Sequence, residues 1–380
     1  MQINNESTNV ILPPKTIGII GGGQLGRMMA IAARYMGYRV VVLDPTAHSP
    51  AAQVADQQIV ASYDNMDAIK DLTDISDVVT YEFENVDLKA AAYIEQQGKL
   101  PQGAYALEIT QNREKEKELM KELALPVPRF SIVKNSQECK KALKTISFPA
   151  VIKTCRGGYD GKGQVKLTSE KDIPHALVFA EQNDHCIIEQ WITFDKEISI
   201  VFTRSQSGDI TFFPIAENYH KDHILFQTTV PALVSEHVYK KGVDAAATLA
   251  EKMNIVGTFA IEMFVQGDEI YLNEMAPRPH NSGHYSIEAC SVSQFTQHIN
   301  AVCGLPLKDV TLLQQATMIN VLGEDLDGVL KALPTLGNGF VHLYGKDTVK
   351  PKRKMGHITF TAETLAELIE YTSRFKEATQ

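Results

Sequence analysis

Two stretches, GTFAIEMF and EIYLNEMA, alternate apolar and polar residues and meet at Gly267-Asp268, so they read as the strands of a hairpin. Glu262 and Glu274 are equidistant from Asp268. A flush hairpin therefore sets them opposite one another on one face, with Cβ atoms roughly 4.5–5.5 Å apart. Carboxylates so placed repel unless a cation lies between them. Hard oxygen ligands suit Mg²⁺, or Mn²⁺ in its stead, bridging the phosphates of a nucleotide, with Asn273 adding a neutral oxygen. The alternative is a pair of solvated acids on an exposed sheet. PRPHNSGH follows directly: Arg278 offers a fork to phosphate or carboxylate, and His280 and Asn281 add hydrogen-bond donors. An anion gathered there adjoins the transferable phosphate of a nucleotide held at Glu274.

Lys153 ends an apolar strand and is followed by RGGYDGKGQ. A lysine on a rigid strand beside a glycine-rich flap suits a polyphosphate, although no Walker A pattern is present; a plain glycine-rich hairpin is the other reading. EQWI (Glu189, Gln190, Trp191, Ile192) follows the strand CII, where backbone groups at a strand end can serve an adenine edge, and Glu197 is near enough to reach ribose hydroxyls. Gly21-x-Gly23-x-x-Gly26, with Asp44 ending the next strand, has the spacing of a dinucleotide fingerprint and equally of a simple tight turn. Lys346 and KPKRKMGH, which contains Arg353, form either a solvated basic loop or a monophosphate site.

These residues need elements to hold them. TIGII reads as a buried strand, and Leu25, Met28, Met29, Ala32, Ala33 and Met36 mark one face of a helix stopped at Gly37, before the strand YRVVVLD. Strand–helix–strand with short joints predicts a parallel, doubly wound sheet. After a charged helix around NREKEKELMKEL the pattern changes to hairpins, and near residue 310 to short strands with a terminal helix. The expected division is an extension over 1–14, a Rossmann-like unit over 15–111, a central unit over 112–308 and a small C-terminal unit over 309–380. Lys+Arg 37 against Asp+Glu 46 argues against a broad nucleic-acid or anionic-membrane surface. No apolar run approaches the ~20 residues of a membrane span, and the start of the chain does not read as a secretory signal. Five cysteines without a CxxC pair suggest reduced thiols in a cytoplasm.

Strand lysine, glycine-rich flap, EQ hinge and paired acids occur here in the order seen in the ATP-grasp superfamily. GGGQLGRMM, GGYDGKGQ, NEMAPRPHNSGH and GKDTVKPKRKMGH together resemble its 5-(carboxyamino)imidazole ribonucleotide synthases. The resemblance implies an α/β, three-domain ATP-grasp architecture with an N-terminal Rossmann-like parallel sheet, a homodimer, and ATP-dependent carboxylation of 5-aminoimidazole ribonucleotide by bicarbonate through carboxyphosphate. It assigns Arg113, Lys153 and the flap Gly158, Tyr159, Asp160, Gly161, Lys162, Gly163 and Gln164 to the phosphates of ATP. It assigns Glu189, Gln190, Trp191 and Ile192 to adenine, Glu197 to ribose, His220 and Asn273 to the nucleotide site, and Glu262 and Glu274 to Mg²⁺. Arg278, His280 and Asn281 are implied at bicarbonate, and Gln24, Leu25, Tyr159, Asp160, Lys346 and Arg353 at the acceptor, with Asp160 orienting or deprotonating its amine. A sister ligase using formate and glycinamide ribonucleotide, a nicotinamide oxidoreductase and a catalytically silent nucleotide sensor are the competing readings.

Overall fold

The computed structural model describes residues 10–158 and 163–379, so Tyr159, Asp160, Gly161 and Lys162 of the flap lie outside the described residues. The first sheet takes strands β1 (Thr16–Ile20), β2 (Arg39–Leu43), β3 (Gln57–Ile59) and β4 (Val78–Tyr81), all parallel, in the order β3-β2-β1-β4. Helix α1 (Gln24–Tyr35) buries Leu25, Met28, Met29 and Ala33 against Ile17, Ile19, Val40 and Val42 on one face. Helices α2 (Met66–Ile75) and α3 (Leu88–Gln96) cover Ile20, Val41, Leu43 and Val79 on the other. Both faces are covered, and this explains why the strands read as unbroken apolar runs.

Helices α4 (Tyr105–Thr110) and α5 (Arg113–Glu122) lead into a small antiparallel layer. It contains β5 (Phe130–Val133), α6 (Ser136–Ala142), β6 (Ala150–Thr154), β7 (Gln164–Leu167), α7 (Ile173–Gln182) and β8 (Cys186–Gln190), with strand order β5-β8-β6-β7. It has a hydrophobic core of its own built on Ile152, Leu167, Ala176 and Ile188.

The remaining strands form one antiparallel sheet. They are β9 (Lys196–Arg204), β10 (Ile210–Phe212), β11 (Ala216–Lys221), β12 (Ile224–Val230), β13 (Gly257–Gln266), β14 (Glu269–Ala276), β15 (Gln315–Leu322), β16 (Gly339–Leu343) and β17 (Lys354–Ala362). Their order is β14-β13-β9-β11-β12-β15-β17-β16, with β10 against β9. The three strands after residue 309 thus extend the central sheet, because β12 pairs with β15 from Gln227↔Ile319 to Val230↔Ala316. The change of pattern near residue 310 does not mark a new sheet. Helix α8 (Glu236–Lys252) packs on Ile198, Ile200, Phe202 and Ile261 of one face. The short α9 (Ser286–Ala289) and α10 (Gln294–Val302) lie on the opposite face, and Phe295, Ile299 and Val302 of α10 join the α1 core. Helices α11 (Leu326–Ala332) and α12 (Leu365–Thr379) close the far end on Ile319, Ile358 and Phe360. Among the described residues no helix is long and apolar enough to cross a membrane.

Candidate active site

Glu262 and Glu274 do face each other, but not through a flush hairpin. The turn pairs Gln266 with Glu269, Val265 with Ile270 and Met263 with Leu272; continued unbroken, that register would put Asn273 opposite Glu262. A bulge inserts one extra residue at this point and the pairing becomes Glu262↔Glu274. The shift also reverses the alternation of β14. Ile270 and Leu272 lie in the apolar core under α8, and so does Met275, whereas simple alternation would have sent Glu274 there. The bulge is what brings the second carboxylate to the site.

Burial and then the neighbouring Glu274 push Glu262 well above the usual carboxylate range. Such a pair is fitted to a hard cation. Among the described residues no three acidic, His or Cys side chains converge as a complete metal cage, so phosphate oxygens and water would complete an ion held by Glu262 and Glu274. The pair lines a cavity of about 90 Å³ with Arg113, Glu116, Arg278 and His280. His280 Nε2 lies 3.3 Å from Glu262 Oε1, and the Ser282 amide donates to Nδ1, which assigns the ring proton to Nε2. Burial and then Arg278 hold His280 neutral. The Arg278 Nε donates to Glu84 at 2.6 Å. Asn281 is turned away from the cavity into a reciprocal amide pair with Asn320, at 2.6 and 3.1 Å.

On the flap side, Lys153 on β6 sits 2.6 Å from Glu189 on β8. Burial acts to raise Glu189, but Lys153 and Lys117 outweigh it and hold the carboxyl down at about 2. The side chain of Glu189 is thus a counter-ion under Lys153, and the adenine assignment rests on the hinge backbone. There the amides of Gln190 and Trp191 donate to Arg129 O and Pro149 O, so an adenine donor must come from Ile192 or beyond. Trp191 carries Lys166 above its ring at 3.7 Å. Arg113 donates to Thr154 O and Gly158 O, at the root of the flap that ends in Gly163 and Gln164. Glu197 and His220 form an ion pair, which raises His220 against the opposing effect of burial. Both sit on the same sheet as Glu262, whose β13 neighbour Phe264 faces Glu197 across to β9.

At the first sheet, the amides of Gly23 and Gly26 donate to Glu82 at 2.5 and 2.6 Å, and that of Gly22 donates to Asp44 at 2.7 Å. The groups that would cradle a pyrophosphate hold the protein's own carboxylates, so a dinucleotide would have to displace them. Gln24 and Leu25 open α1 beside this turn. Lys346 donates to Lys354 O at 2.7 Å and Arg353 to Thr348 O at 2.7 Å. The C-terminal segment reaches the first sheet where Gln53 donates to Gly345 O.

Four residues of this network, Glu82, Glu84, Glu116 and Lys117, were not marked by the sequence patterns. Glu82 was legible in principle, since it follows the strand that neighbours the glycine turn, and ligands gather at the carboxyl ends of parallel strands. Glu116 and Lys117 share a helix face with Arg113 and Met120 at spacings of three, four and seven. A run of charge hid that face.

Known domain families match three stretches of the chain. The ribonucleotide synthetase preATP-grasp domain matches residues 14–111, the ATP-grasp domain residues 118–295, and the phosphoribosylaminoimidazole carboxylase C-terminal domain residues 316–371. The N5-carboxyaminoimidazole ribonucleotide synthase of Bacillus subtilis is 47% identical over 365 residues, 96% of each chain. That of Staphylococcus aureus strain COL is 44% identical over 346 residues, 90% of this chain and 92% of the other. A crystal structure of an ADP complex of an N5-carboxyaminoimidazole ribonucleotide synthetase superposes with a TM-score of 0.94 at 49% identity, over 97% of this chain and 98% of the other. The Aspergillus clavatus synthase in complex with ADP and 5-aminoimidazole ribonucleotide gives 0.89 at 31% identity, over 96% and 98%. With an ATP-grasp core, a parallel N-terminal sheet and relatives of this identity along nearly its whole length, the chain belongs to the N5-carboxyaminoimidazole ribonucleotide synthases, ATP-dependent ligases of the ATP-grasp superfamily.

Proposed function

We propose that this enzyme carboxylates 5-aminoimidazole ribonucleotide with bicarbonate at the expense of ATP, through carboxyphosphate, giving 5-(carboxyamino)imidazole ribonucleotide, ADP and phosphate. The observation that carries the reading is the single cavity in which Glu262, Glu274, Arg113, Arg278 and His280 converge. Bicarbonate is a poor electrophile, and phosphorylation gives it a leaving group. Arg278 and the Nε2 proton of His280 orient the bicarbonate oxygen toward the γ-phosphate, and Lys153 and Arg113 neutralise the phosphate chain. Glu262 and Glu274 hold Mg²⁺, which when bound screens the phosphate charge and polarises the transferred group. Asn281, locked on Asn320, positions the loop that carries Arg278 and His280. Asp160 orients or deprotonates the acceptor amine from the flap, and flap closure keeps water from the labile intermediate. The same reading has the glycine turn with Gln24 and Leu25 take the acceptor nucleotide, and Lys346 and Arg353 its phosphate. The five free, buried cysteines suit a reducing compartment such as the cytoplasm. The resemblance further supports a homodimer, which light scattering checks.

ADP release with Mg²⁺-ATP and bicarbonate, measured with and without 5-aminoimidazole ribonucleotide, tests the reading. Stimulation by that nucleotide is expected, and glycinamide ribonucleotide with formate should be silent; the reverse pattern removes the acceptor assignment. Trp191 is the one tryptophan of the chain and adjoins the hinge, so quenching or enhancement of its emission by ATP reports nucleotide binding separately.

A pH prediction follows for the acceptor. Burial, then Arg353, bring the Lys346 ammonium down to about 8. It loses its proton as pH rises through that value, and with it the charge that meets a phosphate. kcat/KM for the aminoimidazole nucleotide should therefore fall above pH 8, while kcat/KM for ATP does not follow it. Lys346→Arg, whose guanidinium stays charged, should remove the descending limb; a limb that persists unchanged detaches Lys346 from the phosphate.

A further inference from the structure

Strand β14 is an outer strand of the nine-stranded sheet, paired among the described residues with β13 alone, so one row of its backbone groups faces away from the ladder. That row is not left to solvent. The Leu272 amide donates to Pro126 O at 2.8 Å. The Lys117 ammonium donates to Leu272 O at 2.9 Å and to Asn273 O at 2.6 Å. The Met275 amide donates to Glu116 at 2.6 Å. Two consecutive side chains of α5 therefore grip the strand at Leu272, Asn273 and Met275, on either side of Glu274 and at the step where the register shifts. Lys117 has a third partner across the cleft, Glu189 Oε1 on β8 at 3.4 Å, and the same carboxylate holds Lys153. The Lys117 and Glu189 side chains are only 2% and 3% exposed.

A bulge leaves the extra residue's backbone groups outside the ladder and is tolerated where other groups satisfy them. Here an ammonium takes two carbonyls at once, and it is held by a carboxylate belonging to the layer that carries the phosphate-binding lysine. We propose that Lys117 is a positioning residue for the metal site: with Glu116 it fixes the β14 bulge that turns Glu274 toward Glu262, and through Glu189 it ties that geometry to the strand pair bearing Lys153. Lys117 touches neither metal nor substrate in this role. It sets where the second carboxylate points and links that setting to the phosphate-side layer. The inference rests on the reading of Glu262 and Glu274 as the metal pair.

The test is direct Mn²⁺ binding to the full-length enzyme in the presence of ADP, followed by the resonance signal of free Mn²⁺, so that turnover is not needed. Loss of a cation near the site would by Coulomb's law tighten Mn²⁺ binding. Loss of a positioning group loosens it, by about 10-fold or more for Lys117→Met, as is usual when groups supporting metal ligands are removed. The sign of the change therefore separates the two. Lys117→Arg keeps the charge but cannot set a single nitrogen between two carbonyls, and it is expected to weaken binding by about threefold or more. It decides the matter where Lys117→Met does not fold. Unchanged or tighter Mn²⁺ binding in either folded variant overturns the proposal. Glu262→Gln is the control: if it leaves Mn²⁺ binding intact, the assignment of the metal pair has failed, and not the role of Lys117.

Discussion

Glu274→Gln is expected to lower kcat for ADP formation on the order of 10³-fold, and Glu262→Gln to do nearly the same. Either change keeps the side chain's shape but removes one of the two charges proposed to hold the metal. The same substitutions should not weaken the fold. Both carboxylates are forced together by the bulge, and burial with Glu274 raises Glu262. For an acid raised in the folded state, the associated stability is present below its unfolded value and is lost as pH rises through the raised one. The metal-free parent should therefore lose stability from about pH 5 toward pH 8 by this route. Glu262→Gln should flatten that slope and melt at or above the parent temperature at pH 8. Thermal melts across this range, beside steady-state ADP release, check both halves. A variant that stays active, or one that melts well below the parent, would mean that the pair is structural.

Arg278→Met should reduce turnover by a comparable factor, but with a different signature. Arg278 and Glu84 are joined at 2.6 Å with side chains 16% and 32% exposed, so deleting the cation strands a largely shielded carboxylate. Roughly 3 kcal/mol of stability is the expected loss, the low end for an orphaned buried charge. The double variant Arg278→Met/Glu84→Gln should recover most of that stability and none of the activity, because the anion fork is still missing. Arg278→Lys should restore the charge and only part of the rate, since an ammonium cannot present two parallel donors. Recovery of activity in the double variant would reassign Arg278 to the fold alone.

The parallel sheet was legible because TIGII and YRVVVLD are buried on both faces and leave unbroken apolar runs, and because α1 carries its stripe at helical spacing. The opposition of Glu262 and Glu274 was legible too, although for an incomplete reason. Counting from Asp268 gives the correct partners, but a two-residue turn with a later bulge produces them, and alternation read through Leu272 would have sent Glu274 into the core. Bulges leave no compositional mark. Nor do long-range charge partners: Glu189 under Lys117, Glu84 under Arg278 and Glu82 on the glycine turn lie 72, 194 and as many as 59 residues from the groups they hold. A charged helix such as α5 reads as solvated, because periodicity sees polarity and not what the polarity is aimed at. The continuity of the central sheet into the last strands was hidden for the same reason, since pairing of β12 with β15 joins segments about 90 residues apart.

That continuity bears on how the molecule comes apart. A chain ended at residue 308 would lose not an appendage but three strands of a single hydrogen-bonded plane, and β12 would present a bare row of donors and acceptors to any neighbour. Such a truncation should accumulate as insoluble material. The strands on both sides of residue 308 should also exchange their amide hydrogens as one cooperative unit. The β5–β8 layer has a core of its own, so it is expected to exchange its amide hydrogens as a separate unit, ahead of the central sheet. On the proposed reading, one sheet carries the paired acids and a separately cored layer carries Lys153, and turnover would require the two to come into register.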